Sequence, residues 1–267
     1  MSPELYFLIS SYLVLGAFVG FSAGLLGIGG GLILVPALYY ILGHFGDTSL
    51  GNDNNLMHIA LATSMAIILP TGISSSYAQI KRKAVDWQVI KKMSVGLVLG
   101  TLAGVLIVTE MDAAILKIIF AIGLTLIAIS FILKKEESQP LELLKKQFVV
   151  IPATTVFGVL ASFLGIGGAV LNVPYMNRMG VPLKTSIANG SVLGVVISCI
   201  ATVSYLLMGQ GEESYINWVA LISIIPMSVI FAPLGVRASH ALPASKLKVI
   251  FAVLLIVVAT KMIFEVV

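Results

Sequence analysis

Gly27-Ile28-Gly29-Gly30-Gly31 and Gly165-Ile166-Gly167-Gly168 are the two places in this chain where residue type and spacing offer a binding chemistry. Clustered glycines break a helix and let the backbone reverse. Each cluster separates a long apolar stretch from a short one, and each is followed by a proline, Pro36 or Pro174, nine residues after its first glycine. A helix that begins at such a break presents free backbone N–H groups and the positive end of its dipole. Together these hold an anion without any charged side chain. A nucleotide-phosphate loop is excluded, because no Lys-Ser/Thr follows either cluster and both flanks are apolar.

Polar residues inside apolar stretches are the remaining candidates, since their burial is costly and points to function. Thr63 and Ser64 lie in His58-Ile-Ala-Leu-Ala-Thr-Ser-Met, and the related stretch Ser186-Ile-Ala-Asn-Gly-Ser-Val pairs Ser64 with Ser191 and Ala62 with Asn189. Asn172 stands just past the second cluster, where the first copy has Leu34. The candidate anion-binding set is therefore Gly27, Gly29, Gly30, Thr63, Ser64, Gly165, Gly167, Gly168, Asn172, Asn189 and Ser191. Hydroxyls in membrane helices also bond their own i−4 carbonyls, which gives the serines a purely structural alternative. Gly96, Gly100 and Gly104 read as a stripe for close helix packing, and alanine at Gly100 is expected to be milder for transport than valine at Gly29 or Gly167. His58 reads as an interfacial loop residue, and Trp87 and Trp218 as interface anchors. The single cysteine, Cys199, excludes an internal disulfide and has apolar neighbours, which marks it as packing. No Asp or Glu falls in the middle of an apolar segment, and no nucleophile–base pair or metal cluster can be assembled there. The expectation is transport without catalysis, cofactor or metal.

The elements that must position these residues are membrane helices. Of the 267 residues 58% are hydrophobic and only 10% charged, against about 25% charged in a soluble domain. The apolar runs are continuous rather than alternating and repeatedly reach the ~20 residues needed to cross a bilayer. They fall at 5–26, 32–45, 59–78, 93–109, 113–133, 147–164, 169–178, 185–208, 216–235 and 249–266. Met1-Ser2-Pro3-Glu4 has no basic n-region and reads as leading into the first run rather than as a secretory leader. A polar linker, 134–146, divides the chain into repeats 1–133 and 147–267. Gly20-Phe-Ser-Ala-Gly-Leu-Leu-Gly-Ile-Gly-Gly aligns with Gly158-Val-Leu-Ala-Ser-Phe-Leu-Gly-Ile-Gly-Gly, Asp86-Trp87 with Asn217-Trp218, Gly104 with Gly235, and Leu116-Lys117-Ile-Ile-Phe-Ala with Leu247-Lys248-Val-Ile-Phe-Ala.

Charge sets the expected topology. Loops 79–92, 134–146, 178–184 and 237–248 hold 14 of the 16 lysines and arginines, so they belong on the cytoplasmic side. The other loops carry Asp47, Asp53, Glu110, Asp112, Glu212 and Glu213. That split requires five segments in each half, and five is odd. The fold class expected is an all-α polytopic membrane protein of two inverted five-segment repeats, each with a glycine-broken hairpin.

The paired Gly-Leu-Leu-Gly-Ile-Gly-Gly-Gly and Ser-Phe-Leu-Gly-Ile-Gly-Gly-Ala turns, their following prolines and the Ala-Thr-Ser motif resemble the sulfite exporter TauE/SafE family over about residues 12–262. The second half departs from the family's usual Thr-Ser pair, reading Ala188-Asn189-Gly190-Ser191. The resemblance implies a multi-pass permease of the bacterial or archaeal plasma (inner) membrane for sulfite, thiosulfate or organosulfonates. Its expected partners are the lipid bilayer, a small anionic substrate and, in an assembled form, a second copy as a homodimer, with no nucleic acid. Export suits an anion, because an inside-negative potential drives each charge outward by ~2.3 kcal/mol per 100 mV. The alternative is a proton- or sodium-coupled importer that uses His58 or water chains.

Overall fold

The computed structural model describes residues 3–27, 30–45, 55–133, 146–209 and 215–242. Among them the regular elements are all helices: α1 (Pro3–Leu26), α2 (Gly31–Phe45), α3 (Leu56–Lys81), α4 (Trp87–Thr109), α5 (Ala113–Leu133), α6 (Gln147–Leu164), α7 (Ala169–Arg178), α8 (Leu183–Met208) and α9 (Trp218–Ala241). Six of these are long and apolar enough to cross a membrane. The expected last segment, 249–266, and Gly29 lie outside the described residues, as does most of the 134–146 linker.

Helix starts follow local chemistry. Asp86 caps α4 by accepting the N–H groups of Gln88 (2.9 Å) and Val89 (3.3 Å), and Asn217 caps α9 by accepting that of Ala220 (2.8 Å). The aligned pair Asp86-Trp87 and Asn217-Trp218 is thus a repeated cap followed by an exposed tryptophan, as expected of an interface anchor. The outward faces carry Phe7, Val14, Leu99, Leu106, Ile222 and Ile230, all exposed. In water this would be untenable, and in lipid it is ordinary.

Two close seams hold the bundle. α1 lies along α9, and α4 along α6. Under the alignment of the halves these are the same pair taken once from each side. Small residues let the backbones touch: a Cβ on Gly20 of α1 would overlap the Ser228 carbonyl of α9, and one on Gly100 of α4 would overlap the Thr155 carbonyl of α6. The packing reading of the Gly96, Gly100 and Gly104 stripe agrees with this geometry. Even alanine at Gly100 meets main chain, which cannot swing aside.

Between the seams stands α3, packed on α2, α8 and α9, with 78% of its apolar window buried. His58 departs from its expected place. It lies inside α3, is 4% exposed, and its Nε2 is 3.0 Å from the Val108 carbonyl. The polar loop before it had hidden that the helix already starts at Leu56. Cys199 faces outward on α8 rather than into the packing.

Candidate functional site

Gly27 ends α1 with φ +70°, and Gly165 caps α6 with φ +56°. Both values lie in the left-handed region, where a side chain is strained. Gly30, φ +80°, begins the return into α2, and its carbonyl accepts from Ile33 (3.1 Å) and Leu34 (3.0 Å). At the second turn the Asn172 N–H reaches back to the Gly168 carbonyl at 3.2 Å. Helix geometry leaves the N–H groups of Ala169, Val170 and Leu171 without an intrahelical acceptor. Gly168, the N-cap, supplies no side chain to them. Ala169 and Val170 are nevertheless buried.

The two turns meet. A Cβ on Gly31 would overlap the Gly165 carbonyl oxygen and lie 2.8 Å from the Ile166 Cα. Each turn is also buttressed by the other half. Gly27 rests against the Ile187 carbonyl of α8, and Gly165 against Leu61 and Ser64 of α3. The Ser64 hydroxyl donates to the Gly165 carbonyl and shares that proton with the Leu61 carbonyl, both at 3.0 Å. Ser64 is therefore tied to the second turn, and its proton is already spent.

Asn172, 1% exposed, completes this centre. A Cβ on Gly168 would lie 3.1 Å from its Nδ2 and 3.0 Å from the Gly194 N of α8. Its Oδ1 has no partner. An amide that turns over exchanges this acceptor for a donor, so the side chain can meet a ligand with either polarity. Among the described residues the buried polar side chains are hydroxyls, amides and His58, with no carboxylate, lysine or arginine.

The other candidates lie elsewhere. The Thr63 hydroxyl accepts the Asn217 N–H (2.9 Å), which ties α3 to the start of α9. Asn189 Oδ1 accepts the Asp86 N–H (2.8 Å), which ties α8 to the start of α4, and its Nδ2 faces the Met176 sulfur at 3.7 Å. Ser191 bonds the Ile187 carbonyl (3.3 Å) and receives the Ser75 hydroxyl (3.2 Å). So Ser64, Gly165, Gly168 and Asn172 gather with the first turn, while Thr63 and Asn189 join helix starts. Sequence reasoning missed Ser75 and Gln79, which continue the Ser64 face of α3. Their signal was the run Ser74-Ser75-Ser76 followed by Gln79 at helical spacing.

A bundle of apolar helices around an uncharged, donor-bearing centre built from broken helices defines a multi-pass membrane transporter. The profile of the family described as Sulfite exporter TauE/SafE matches residues 12–262, and the chain belongs to that family. It is 32% identical to a probable membrane transporter protein of Haemophilus influenzae over 94% of this chain and 96% of the relative. It is 26% identical to the probable membrane transporter protein YunE of Bacillus subtilis, over 94% of this chain and 96% of that one. A probable membrane transporter protein of Methanocaldococcus jannaschii is likewise 26% identical, over 94% of each chain. No solved structure matches the chain.

Proposed function

We propose that this transporter moves small sulfur-containing oxyanions, such as sulfite, thiosulfate or small sulfonates, outward across the plasma membrane of a bacterium or archaeon. The observation that carries the reading is the uncapped, buried start of α7 beside Asn172 and against the first glycine turn. Such a site offers N–H donors to an anion and no fixed countercharge that would hold it too long. Ser64 acts on this site as a positioning residue, through the Gly165 carbonyl.

Binding to purified protein tests the site. Asn172→Ala is expected to weaken sulfite or thiosulfate binding by roughly 10- to 150-fold, the equivalent of one hydrogen bond to a charged group at ~1.5–3 kcal/mol. Ser64→Ala, which acts only through the Gly165 carbonyl, should weaken it in the same direction by less. Ser191→Ala, whose hydroxyl faces Ser75, should cost less. Neutralising exposed Lys146 should matter only at low salt. Calorimetry that finds full affinity in both Asn172→Ala and Ser64→Ala, with a large loss in Lys146→Gln, would move the site to the surface.

The inverted arrangement of the halves is part of the same reading. Met111 and Leu242 occupy equivalent points just past α4 and α9. In a Cys199→Ser background, Met111→Cys should react with an impermeant thiol reagent from outside and Leu242→Cys from inside. Labelling of both from one face would end the inverted model.

Coupled import stays as a second reading on one observation: His58 is buried and its Nδ1 has no partner. Proteoliposomes that acidify on substrate addition, and cease to in His58→Gln, would favour it over uncoupled export.

A further inference from the structure

α3, α8 and α9 come together a second time, at the lysine-rich end, around Gln79. That side chain is 0% exposed, and its Oε1 is 2.8 Å from His240 Nε2. In this orientation the amide oxygen accepts, and His240 carries its proton on Nε2. The Gln79 NH2 group then points away from His240 and has no acceptor. One turn earlier on the same face of α3, the Ser76 hydroxyl is 6% exposed and also has no partner. Two buried donor groups on adjacent turns are left unmatched and open to a ligand that accepts hydrogen bonds.

The surroundings give that ligand its sign. Exposed Lys184 donates to the His240 carbonyl at 3.0 Å and keeps two N–H donors free of that bond. The charges of Arg82 and Lys184 both bear on the His240 ring. Asp86 lies four residues beyond Arg82, but its Oδ1 is occupied by Gln88 and Val89. The cluster is thus a half-buried imidazole and buried amide and hydroxyl donors beneath two exposed cations.

We propose that this cluster is a second anion site, separate from the glycine turns, where a small oxyanion is collected before it passes along α3 toward the turns. Gln79 and Ser64 are 15 residues apart on one helix, so the two sites lie about 22 Å apart along α3. Ser75 and its partner Ser191 stand between them. Anion binding at Gln79 does not depend on the transport reading; only its role as a collecting point does.

Equilibrium binding of radiolabelled sulfate to the purified full-length protein tests it. The wild type should show saturable binding that falls steeply with added salt. Gln79→Glu, nearly isosteric, replaces the donor by a negative charge, and Lys184→Gln removes an exposed cation while keeping a side-chain N–H donor. Each should weaken this class of site at least about tenfold at low ionic strength, the lower end of what focused charge achieves. Asn172→Ala should leave it intact. Sulfate affinity unchanged in both Gln79→Glu and Lys184→Gln overturns the proposal, and so does loss of all binding in Asn172→Ala, which would mean a single site at the turns. Intact sulfate binding that responds to Gln79→Glu, with no further class removed by Asn172→Ala, would instead count against the glycine-turn reading alone.

Discussion

Valine at Gly165 or at Gly27 is expected to abolish transport. Both glycines hold the left-handed backbone that turns one helix into the next, at φ +56° and +70°. A β-branched residue there carries about 1–3 kcal/mol of backbone strain before any contact is counted. Contact adds to it. At Gly165 a Cβ would press on Val35, Leu61 and the Ser64 hydroxyl, and at Gly27 it would meet the Ile187 carbonyl. The turns touch each other, so displacing one moves both, and flux should fall by about 100-fold or more, as ~3 kcal/mol at the site implies. Gly167→Val, on the same turn, is expected to act in the same direction. Proteoliposome flux of sulfite or thiosulfate is the measurement, with size-exclusion behaviour as the check on folding. Monodisperse valine variants with normal flux would reduce the turns to packing features.

The second large effect concerns stability. Gly100→Ala is expected to lower the unfolding midpoint in detergent by an amount equivalent to about 1–3 kcal/mol or more, the range for overpacking a close contact. Its new methyl group would overlap the Thr155 carbonyl, and Gly20→Ala would do the same to Ser228 across the other seam. Gly43→Ala is the control. Its Cβ would have only Leu56 Cδ1 in reach, at 3.9 Å, and alanine gains up to about 1 kcal/mol of helix propensity over glycine. That variant should be neutral or slightly stabilised. Three equal midpoints would show that the seams tolerate separation.

Much of the architecture was legible in the amino-acid order because a bilayer leaves few alternatives. Backbone polar groups must be satisfied within each segment there, so a long apolar run is a helix and a polar break is a loop. The helix limits of α5, α6 and α7 therefore match the apolar runs 113–133, 147–164 and 169–178. Glycine spacing likewise announced close packing at Gly96, Gly100 and Gly104, and the duplicated clusters announced the turns. Family membership followed from the same motifs.

What hydropathy alone does not determine is which neighbour each polar side chain meets. Thr63 and Ser64 are adjacent in sequence, yet they point about 100° apart on α3. One bonds the start of α9 and the other the second glycine turn. Asn189 and Ser191 part in the same way, toward Asp86 and Ser75. The packing of α4 on α6 decided how much room Gly100 has, and the early start of α3 decided that His58 is buried. Most decisive was the meeting of the turns: Gly31 and Gly165 lie far apart along the chain. Only the packing of α3 and α8 against the opposite half's turn places their backbones in contact. Side-chain partners depend on helix rotation and long-range packing, which apolarity does not encode, whereas the helices themselves are dictated by the solvent around them.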